Sequence, residues 1–207
     1  MALHSYNDLN EVQMDVLKEL GNIGAGNAAT SLADMLMAPI DIEVPVVRIW
    51  DYEAVMEELG GPETMIVGLL LSFDGDIRGM IMFLLEKDFA HMTLNALLGQ
   101  EIGSFQEIDE AGYSALKEVA NIMAASYINA IASMTQMRIE LSVPDMCIDM
   151  LGAILSAPAI LYADISDKII LIQDEFKGKS VDSHNHVLLL PDMGSLKKIM
   201  TALGIEL

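Results

Sequence analysis

One segment of this chain occurs twice, and the repeat constrains the fold more strongly than any other feature of the sequence. The matched positions keep a constant separation along the chain, so chance agreement over the whole segment is improbable. A repeat of this kind predicts two units with the same order of elements. The matches are Leu17-Lys18-Glu19 with Leu116-Lys117-Glu118, Asn22-Ile23 with Asn121-Ile122, Ala25 with Ala124, Met35 with Met134, Ile40 with Ile139 and Val44-Pro45 with Val143-Pro144.

Each copy is followed by paired apolar runs that are typical of buried hairpins. In the first half, the runs 65–73 and 77–85 flank the turn signal Asp74-Gly75-Asp76. In the second half, the runs 168–173 and 186–190 flank a polar stretch that we expect to be a loop. That stretch contains Gly178, Lys179, Asp182 and Asn185.

Helical and strand patterns complete each half. Helices are predicted at 86–98 and 192–203, ending at Gly99 and Gly204, because glycine is a common helix stop. Before each hairpin we expect one strand, at 41–50 or 138–148, and then a short helix. The predicted fold class is therefore α/β (α+β): a pseudo-two-fold tandem repeat of α-β-α-β-β-α units with a continuous β-sheet and two long helices. We expect a single domain, 1–207, with repeats at about 8–100 and 107–205.

Composition excludes several classes of function. The 31 acidic and 11 basic residues give a net charge of −20, which would repel a phosphate backbone, so nucleic acid is not expected as a partner. The single cysteine forms no intramolecular disulfide, and no secretory signal follows Met1, so a cytoplasmic location is expected. The uncharged run 119–137 is interrupted by polar residues on several sides. A buried amphipathic helix is therefore predicted there, and membrane insertion is not.

The repeated helix places polar side chains on one face, because positions three or four apart on a helix are neighbours. The opposite face is apolar and should pack on the sheet. For a single copy, a solvated helix surface would explain the polar stripe. Its repetition favours a function, since asparagine is a mediocre residue for a helix interior. The two stripes are Asp15, Glu19, Asn22 and Gly26, and Ser114, Glu118, Asn121 and Ala125.

At these positions the chain resembles the CheC/CheX/FliY family of phosphatases, and within it the CheC group. The family pattern is Asp or Ser, three residues, Glu, two residues, Asn, twenty-two residues and Pro. Both halves match it at the same spacing, and the resemblance covers essentially the whole chain. The matching residues are Asp15, Glu19, Asn22 and Pro45 in the first half, and Ser114, Glu118, Asn121 and Pro144 in the second.

The resemblance implies hydrolysis of the aspartyl phosphate of a phosphorylated CheY-type response regulator. It implies that Asn22 and Asn121 orient the attacking water, while Glu19 and Glu118 dock the regulator. The regulator would supply a divalent cation, and this chain is expected to hold no cofactor or metal. Small Gly26 and Ala125 would permit close approach, although packing between helices explains them as well. Asp15, Ser114, Pro45 and Pro144 are expected to support the motif without touching the reaction.

Two alternatives from another class remain at this stage. The same fold resembles the middle domain of flagellar switch proteins, which are binding modules, and the family resemblance also implies CheD as a possible partner. A scaffold that binds CheD without phosphatase activity would fit the sequence too.

Weaker signals favour ordinary structure. Gly21, Gly24 and Gly26 do not have the spacing of a phosphate-binding loop. The pair His184 and His186 could ligate a metal, but a surface loop is the preferred interpretation there. The 16 methionines lie mostly at positions with a core pattern.

Overall fold

The computed structural model describes residues 5–99, 101–161, 168–177 and 182–205. Within these residues the α-helices are α1 (Glu11–Leu36), α2 (Tyr52–Glu58), α3 (Lys87–Leu98), α4 (Glu110–Thr135), α5 (Leu151–Leu161) and α6 (Met193–Ala202). The strands are β1 (Asp41–Ile42), β2 (Val46–Asp51), β3 (Met65–Gly75), β4 (Gly79–Leu85), β5 (Ile139–Leu141), β6 (Asp145–Met150), β7 (Lys168–Lys177) and β8 (Asp182–Pro191).

All eight strands form one antiparallel sheet, which confirms the continuous sheet predicted from the repeat. Its order is β1-β7-β8-β4-β3-β5, with β2 beside β7 and β6 beside β3. The two halves exchange edges: β1 and β2 from the first half pair with the second hairpin, and β5 and β6 pair with the first. The two hairpins meet in the middle through β4 and β8.

Helices cover both faces of the sheet. One face carries α1, α3, α4 and α6, whose buried side chains form the larger apolar core together with the inward residues of the sheet. The other face carries the shorter α2 and α5 over a smaller core. Burial of apolar surface at roughly 25 cal/mol per Å² is the main force that holds these layers together.

The long helices α1 and α4 each contain 26 residues and begin with side-chain caps. The Asn10 side chain accepts from the Gln13 amide at 3.0 Å, and the Gln13 side chain accepts from the Asn10 amide at 3.0 Å. In α4, Asp109 caps the amide of Gly112 at 3.0 Å. These caps satisfy amides that lack a partner in the first helical turn, and so fix where each helix starts.

The two long helices also pack closely against each other, at Gly24. A Cβ atom at Gly24 would lie 2.4 Å from the Tyr127 ring of α4, so only glycine fits there without a shift. The small and large side chains are exchanged between the repeats: Gly24 corresponds to Met123, and Ala28 corresponds to Tyr127. All four residues are buried. This apolar face was expected to pack on the sheet. It is in fact shared between the sheet and the neighbouring helix.

Both strands that follow the long helices are interrupted, although each was expected to be continuous. In the first half, Ile42 pairs with Phe176 and Val46 with Gln173, so three residues, 43–45, lie opposite two. This is a β-bulge of one extra residue. Proline has no N–H to donate to the ladder, and Pro45 lies at the end of the bulge.

The second half contains the same bulge. Leu141 pairs with Phe73 and Asp145 with Leu70, so residues 142–144 lie opposite two residues of β3. The Ser142 side chain accepts from the Ser72 amide at 2.9 Å, and the Ser142 amide donates to the Ser72 carbonyl at 2.8 Å. The bulge is therefore held to the sheet at its first residue.

The predicted hairpins are present, but their strands differ in length from the apolar runs: β3, β7 and β8 are longer, and β4 is shorter by two residues. Asp74 and Gly75 belong to β3 and pair with β5, so the turn lies at residues 76–78. Gly75 has a φ of 125°, and a Cβ there would lie 2.5 Å from the Arg138 carbonyl oxygen. Glycine therefore permits this close approach of two backbones, and its role is not that of a turn residue. The predicted stops are confirmed: Gly99 has φ 65° and Gly204 has φ 74°.

The interpretation of residues 184–186 as a surface loop is wrong. These residues lie in β8, an interior strand between β7 and β4. Asn185 is fully buried and His186 is 2% exposed. Gly178 and Lys179 of the predicted loop lie outside the described residues.

Residues 119–137 behave as expected of a helix in a protein interior. Residues 119–135 form the second part of α4, whose apolar side chains contribute to the larger core. Among the described helices, none combines the length and the apolar character that a membrane span requires.

Candidate active site

Each long helix presents a carboxylate and an amide on its exposed face, one turn apart. Glu19 and Asn22 are exposed on α1, and Glu118 and Asn121 are exposed on α4. Their neighbours on the opposite face, such as Leu20 and Val119, are buried in the larger core. The packing of the apolar face therefore determines the direction in which the polar pair points.

In the second half, the motif residues line one open cleft of about 320 Å³ between α4 and the bulge. Ser114, Glu118 and Asn121 come from the helix, and Pro144 comes from the bulge. Residues far apart in the sequence are thus brought together at one cleft. Lys117, Leu141, Ser142 and Val143 complete the lining.

The bulge turns one side chain inward and its neighbour outward in both halves. Pro45 and Pro144 are buried, whereas Val44 is 79% exposed and Val143 is 81% exposed. Exposed large apolar side chains are usually scattered singly over a protein surface, without a pattern in the sequence. Here the same residue is exposed at the equivalent point of both repeats, beside the long helix that carries the polar pair.

The two halves differ in charge around the lysine that precedes each glutamate. In α1, the Lys18 ammonium lies 2.8 Å from the Asp15 carboxylate, as an exposed ion pair one turn apart. In α4 the equivalent residues are Lys117 and Ser114, so the second lysine lacks this carboxylate. Within the described part of the chain, Lys117 makes no ion pair or hydrogen bond.

Gly26 and Ala125 lie at the ends of the two polar stripes and are half-buried. A Cβ built on Gly26 has no heavy atom within 4 Å. The space beside Gly26 is therefore open, and packing among the described residues does not require glycine there.

The described residues contain no group of three or more His, Cys, Asp or Glu side chains that could hold a metal ion. Of the two histidines considered from the sequence, His186 is buried, and its Nε2 lies 3.4 Å from Glu86 Oε1. The side chain of His184 lies outside the described residues. His186 faces the smaller core, away from the long helices that carry the motif.

Four residues at this cleft were not predicted from the sequence: Lys117, Leu141, Ser142 and Val143. Lys117 and Val143 could have been found from the sequence, because the repeat matches them with Lys18 and Val44. Ser142 could not, since Glu43 occupies the equivalent position. Its part in fixing the bulge depends on the cross-strand partner, which only the sheet pairing reveals.

Comparison with known proteins gives the family. The model of the CheC-like family matches residues 12–49 and 112–148, the segments that contain both motifs completely. The CheY-P phosphatase CheC of Bacillus subtilis is 31% identical over 206 residues, covering 98% of this chain and 99% of that protein. The chain belongs to the CheC-like family.

A further relative matches part of the chain, and solved structures share its fold. The flagellar motor switch phosphatase FliY of Bacillus subtilis is 25% identical over 138 residues, covering 66% of this chain and 36% of that protein. The crystal structure of Thermotoga maritima FliY has the same fold, with a TM-score of 0.75 at 21% identity over 95% of this chain and 98% of that one. A Desulfovibrio desulfuricans chemotaxis protein CheX superposes with a TM-score of 0.54 at 16% identity, over 83% and 99%.

Proposed function

We propose that this member of the CheC-like family hydrolyses the aspartyl phosphate of a phosphorylated CheY-type response regulator. The observation that supports this most strongly is the duplicated, exposed Glu and Asn pair on α1 and α4. A relative that is similar over almost the whole chain bears the name CheY-P phosphatase. Because CheY-type regulators act inside the cell, the proposal also includes a cytoplasmic location.

The chemistry requires little from the protein beyond positioning. An acyl phosphate is already activated, so the catalyst mainly has to hold a water molecule in line with the phosphorus. Asn22 and Asn121 each carry a carboxamide that can accept a hydrogen bond from this water and donate one at the same time. An amide also keeps this ability at any pH near neutrality, because it does not titrate.

The glutamates would hold the regulator in register. Glu19 and Glu118 precede the asparagines by one helical turn, and their exposed carboxylates can each bind a lysine on the rim of the regulator's phosphorylation site. In this role they act as docking residues and not as general bases. The divalent cation of the reaction is expected to enter with the regulator.

The test is phosphate release from the phosphorylated regulator, measured with wild type and with the double variant Asn22→Ala/Asn121→Ala. We expect release to fall on the order of 100-fold, because the water is no longer oriented. Both asparagines are exposed, so the double variant should fold normally.

A matched control uses two other exposed asparagines of the same helices. Asn27→Ala/Asn129→Ala removes one exposed amide from α1 and one from α4, beyond the ends of the polar stripes at Gly26 and Ala125, and should leave release near the wild-type rate. If the folded Asn22→Ala/Asn121→Ala variant released phosphate as fast as wild type, the proposal would be refuted.

CheD binding is a separate part of the proposal, drawn from the family resemblance alone. The alternative scaffold, which binds CheD without hydrolysing the phosphate, is separated by the same assay run with and without CheD. Release in either condition supports the enzyme. No release in both conditions would support the scaffold.

A further inference from the structure

The lysine beside each catalytic pair has a different electrostatic environment in the two halves. Lys18 and Lys117 occupy equivalent positions, and each lies four residues before its asparagine, on the same side of the helix. Lys18 is paired with Asp15 at 2.8 Å. Lys117 lines the cleft that also contains Glu118 and Asn121.

No other residue of α4 replaces the missing carboxylate. The positions one turn from Lys117 are Tyr113, Ser114, Ala120 and Asn121, and all are uncharged. Asp109 and Glu110 line an adjoining cleft that Lys117 also lines, but they precede Lys117 by eight and seven residues, about two helical turns along α4. The Asp109 carboxylate is, moreover, engaged with the Gly112 amide at 3.0 Å.

A free ammonium group matters here because the phosphorylated site of a receiver domain is strongly anionic. Charge complementarity at a docking surface raises the rate of association and fixes orientation. An ammonium already paired with a carboxylate contributes almost no net charge at the distance of a docked partner. The chain as a whole has a net charge of −20, which would otherwise repel such a partner.

We propose that Lys117 is a positioning residue for the anionic phosphoaspartate surface of the regulator, and that Asp15 suppresses the same contribution from Lys18. The site on α4 is then the stronger of the two. The inference rests on the proposed function and deepens it, because it attributes a difference in activity between the two sites to the exchange of Asp15 for Ser114.

The test measures kcat/KM in chains with one active site each. Asn22→Ala leaves only the site on α4, and Asn121→Ala leaves only the site on α1. We expect the first chain to retain the higher kcat/KM. In the first chain, Lys117→Met should lower kcat/KM about tenfold, and Lys117→Arg should restore most of it, since charge is what the contact requires.

Ser114→Asp and Asp15→Ser, which exchange the two residues between the sites, should change kcat/KM in opposite directions. Ser114→Asp in the Asn22→Ala chain is expected to lower kcat/KM roughly three- to fivefold, the size of an exposed ion pair. Asp15→Ser in the Asn121→Ala chain should raise it by a similar factor. Both positions are exposed, so neither change should affect folding.

The dependence of kcat/KM on ionic strength separates an electrostatic role of Lys117 from a purely structural one, because a structural role would not affect this dependence. The kcat/KM of the Asn22→Ala chain should fall steeply as ionic strength rises, and Lys117→Met should flatten that slope. Lys87→Met removes an exposed lysine from α3, away from the cleft, and serves as the control for a general change in net charge. That variant should keep the slope.

The outcomes separate this inference from the function on which it rests. If Asn121→Ala lowers activity while Lys117→Met and Ser114→Asp leave kcat/KM and its salt dependence unchanged, the inference is overturned and the phosphatase stands. If wild type releases no phosphate, both are overturned.

Discussion

Two glycines of α1 have opposite surroundings, although they are only two residues apart. A Cβ on Gly24 would lie 2.4 Å from the Tyr127 ring, whereas a Cβ on Gly26 would contact nothing within 4 Å. The first glycine is therefore required by the contact between the long helices. The second leaves open space on the side that carries Glu19 and Asn22.

Alanine at these two positions should consequently change stability in opposite directions. Gly24→Ala should lower the free energy of unfolding by about 1–3 kcal/mol, because the tyrosine ring has to shift in a well-packed core. Gly26→Ala should raise it by about 0.5–1 kcal/mol, since alanine is the better helix former. Thermal or denaturant unfolding of the two variants checks both values. A loss of stability in Gly26→Ala would contradict this account.

The activity of the Gly26→Ala variant tests whether the partner needs a small residue at this position to approach closely. The repeat-equivalent residue is already Ala125, so a methyl group at the end of the stripe is compatible with a functional site. We expect phosphate release within about twofold of wild type. A folded variant with strongly reduced release would instead show that the partner requires glycine at this point.

The β-bulge is the element that the sequence did not predict, although it shapes the site. The apolar patterns at 41–50 and 138–148 are compatible with unbroken strands. Whether a strand is broken depends on the register of its partner, which lies in the other half of the chain. The prolines at positions 45 and 144 were recognised as motif residues. Their physical effect, which is to end one ladder and turn the preceding valine outward, becomes visible only in the sheet.

Because Val44 and Val143 are exposed beside the polar pairs, we expect them to contact the docked regulator. Val44→Ser/Val143→Ser should raise KM several-fold with little change in kcat, because an apolar contact made equally in the ground state and the transition state affects only binding. Stability should be unchanged. The matched control is Ile160→Ser on α5, which is equally exposed but lies on the other face of the sheet. An equal KM for the double variant and wild type would rule out the contact.

At the scale of the whole molecule, the repeat predicted the class of fold and the continuous sheet correctly. The repeat could not predict the exchange of edge strands. A strand can pair with the hairpin of its own half or with that of the other half, and the apolar periodicity of the sequence is the same in both cases. The exchange has a consequence for the two sites: each lies beside a bulge that is anchored on the hairpin of the other half. Both sites therefore depend on the complete sheet.

The central claim is that a phosphorylated regulator docks on the exposed faces of α1 and α4. Hydrogen–deuterium exchange measures this most directly, with a receiver domain held in its phosphorylated form by beryllofluoride. The account predicts increased protection at 15–26, 114–125 and the bulges at 43–45 and 142–144, and none at α5. Protection confined to α5 and β6, with the two helix faces unchanged, would contradict it.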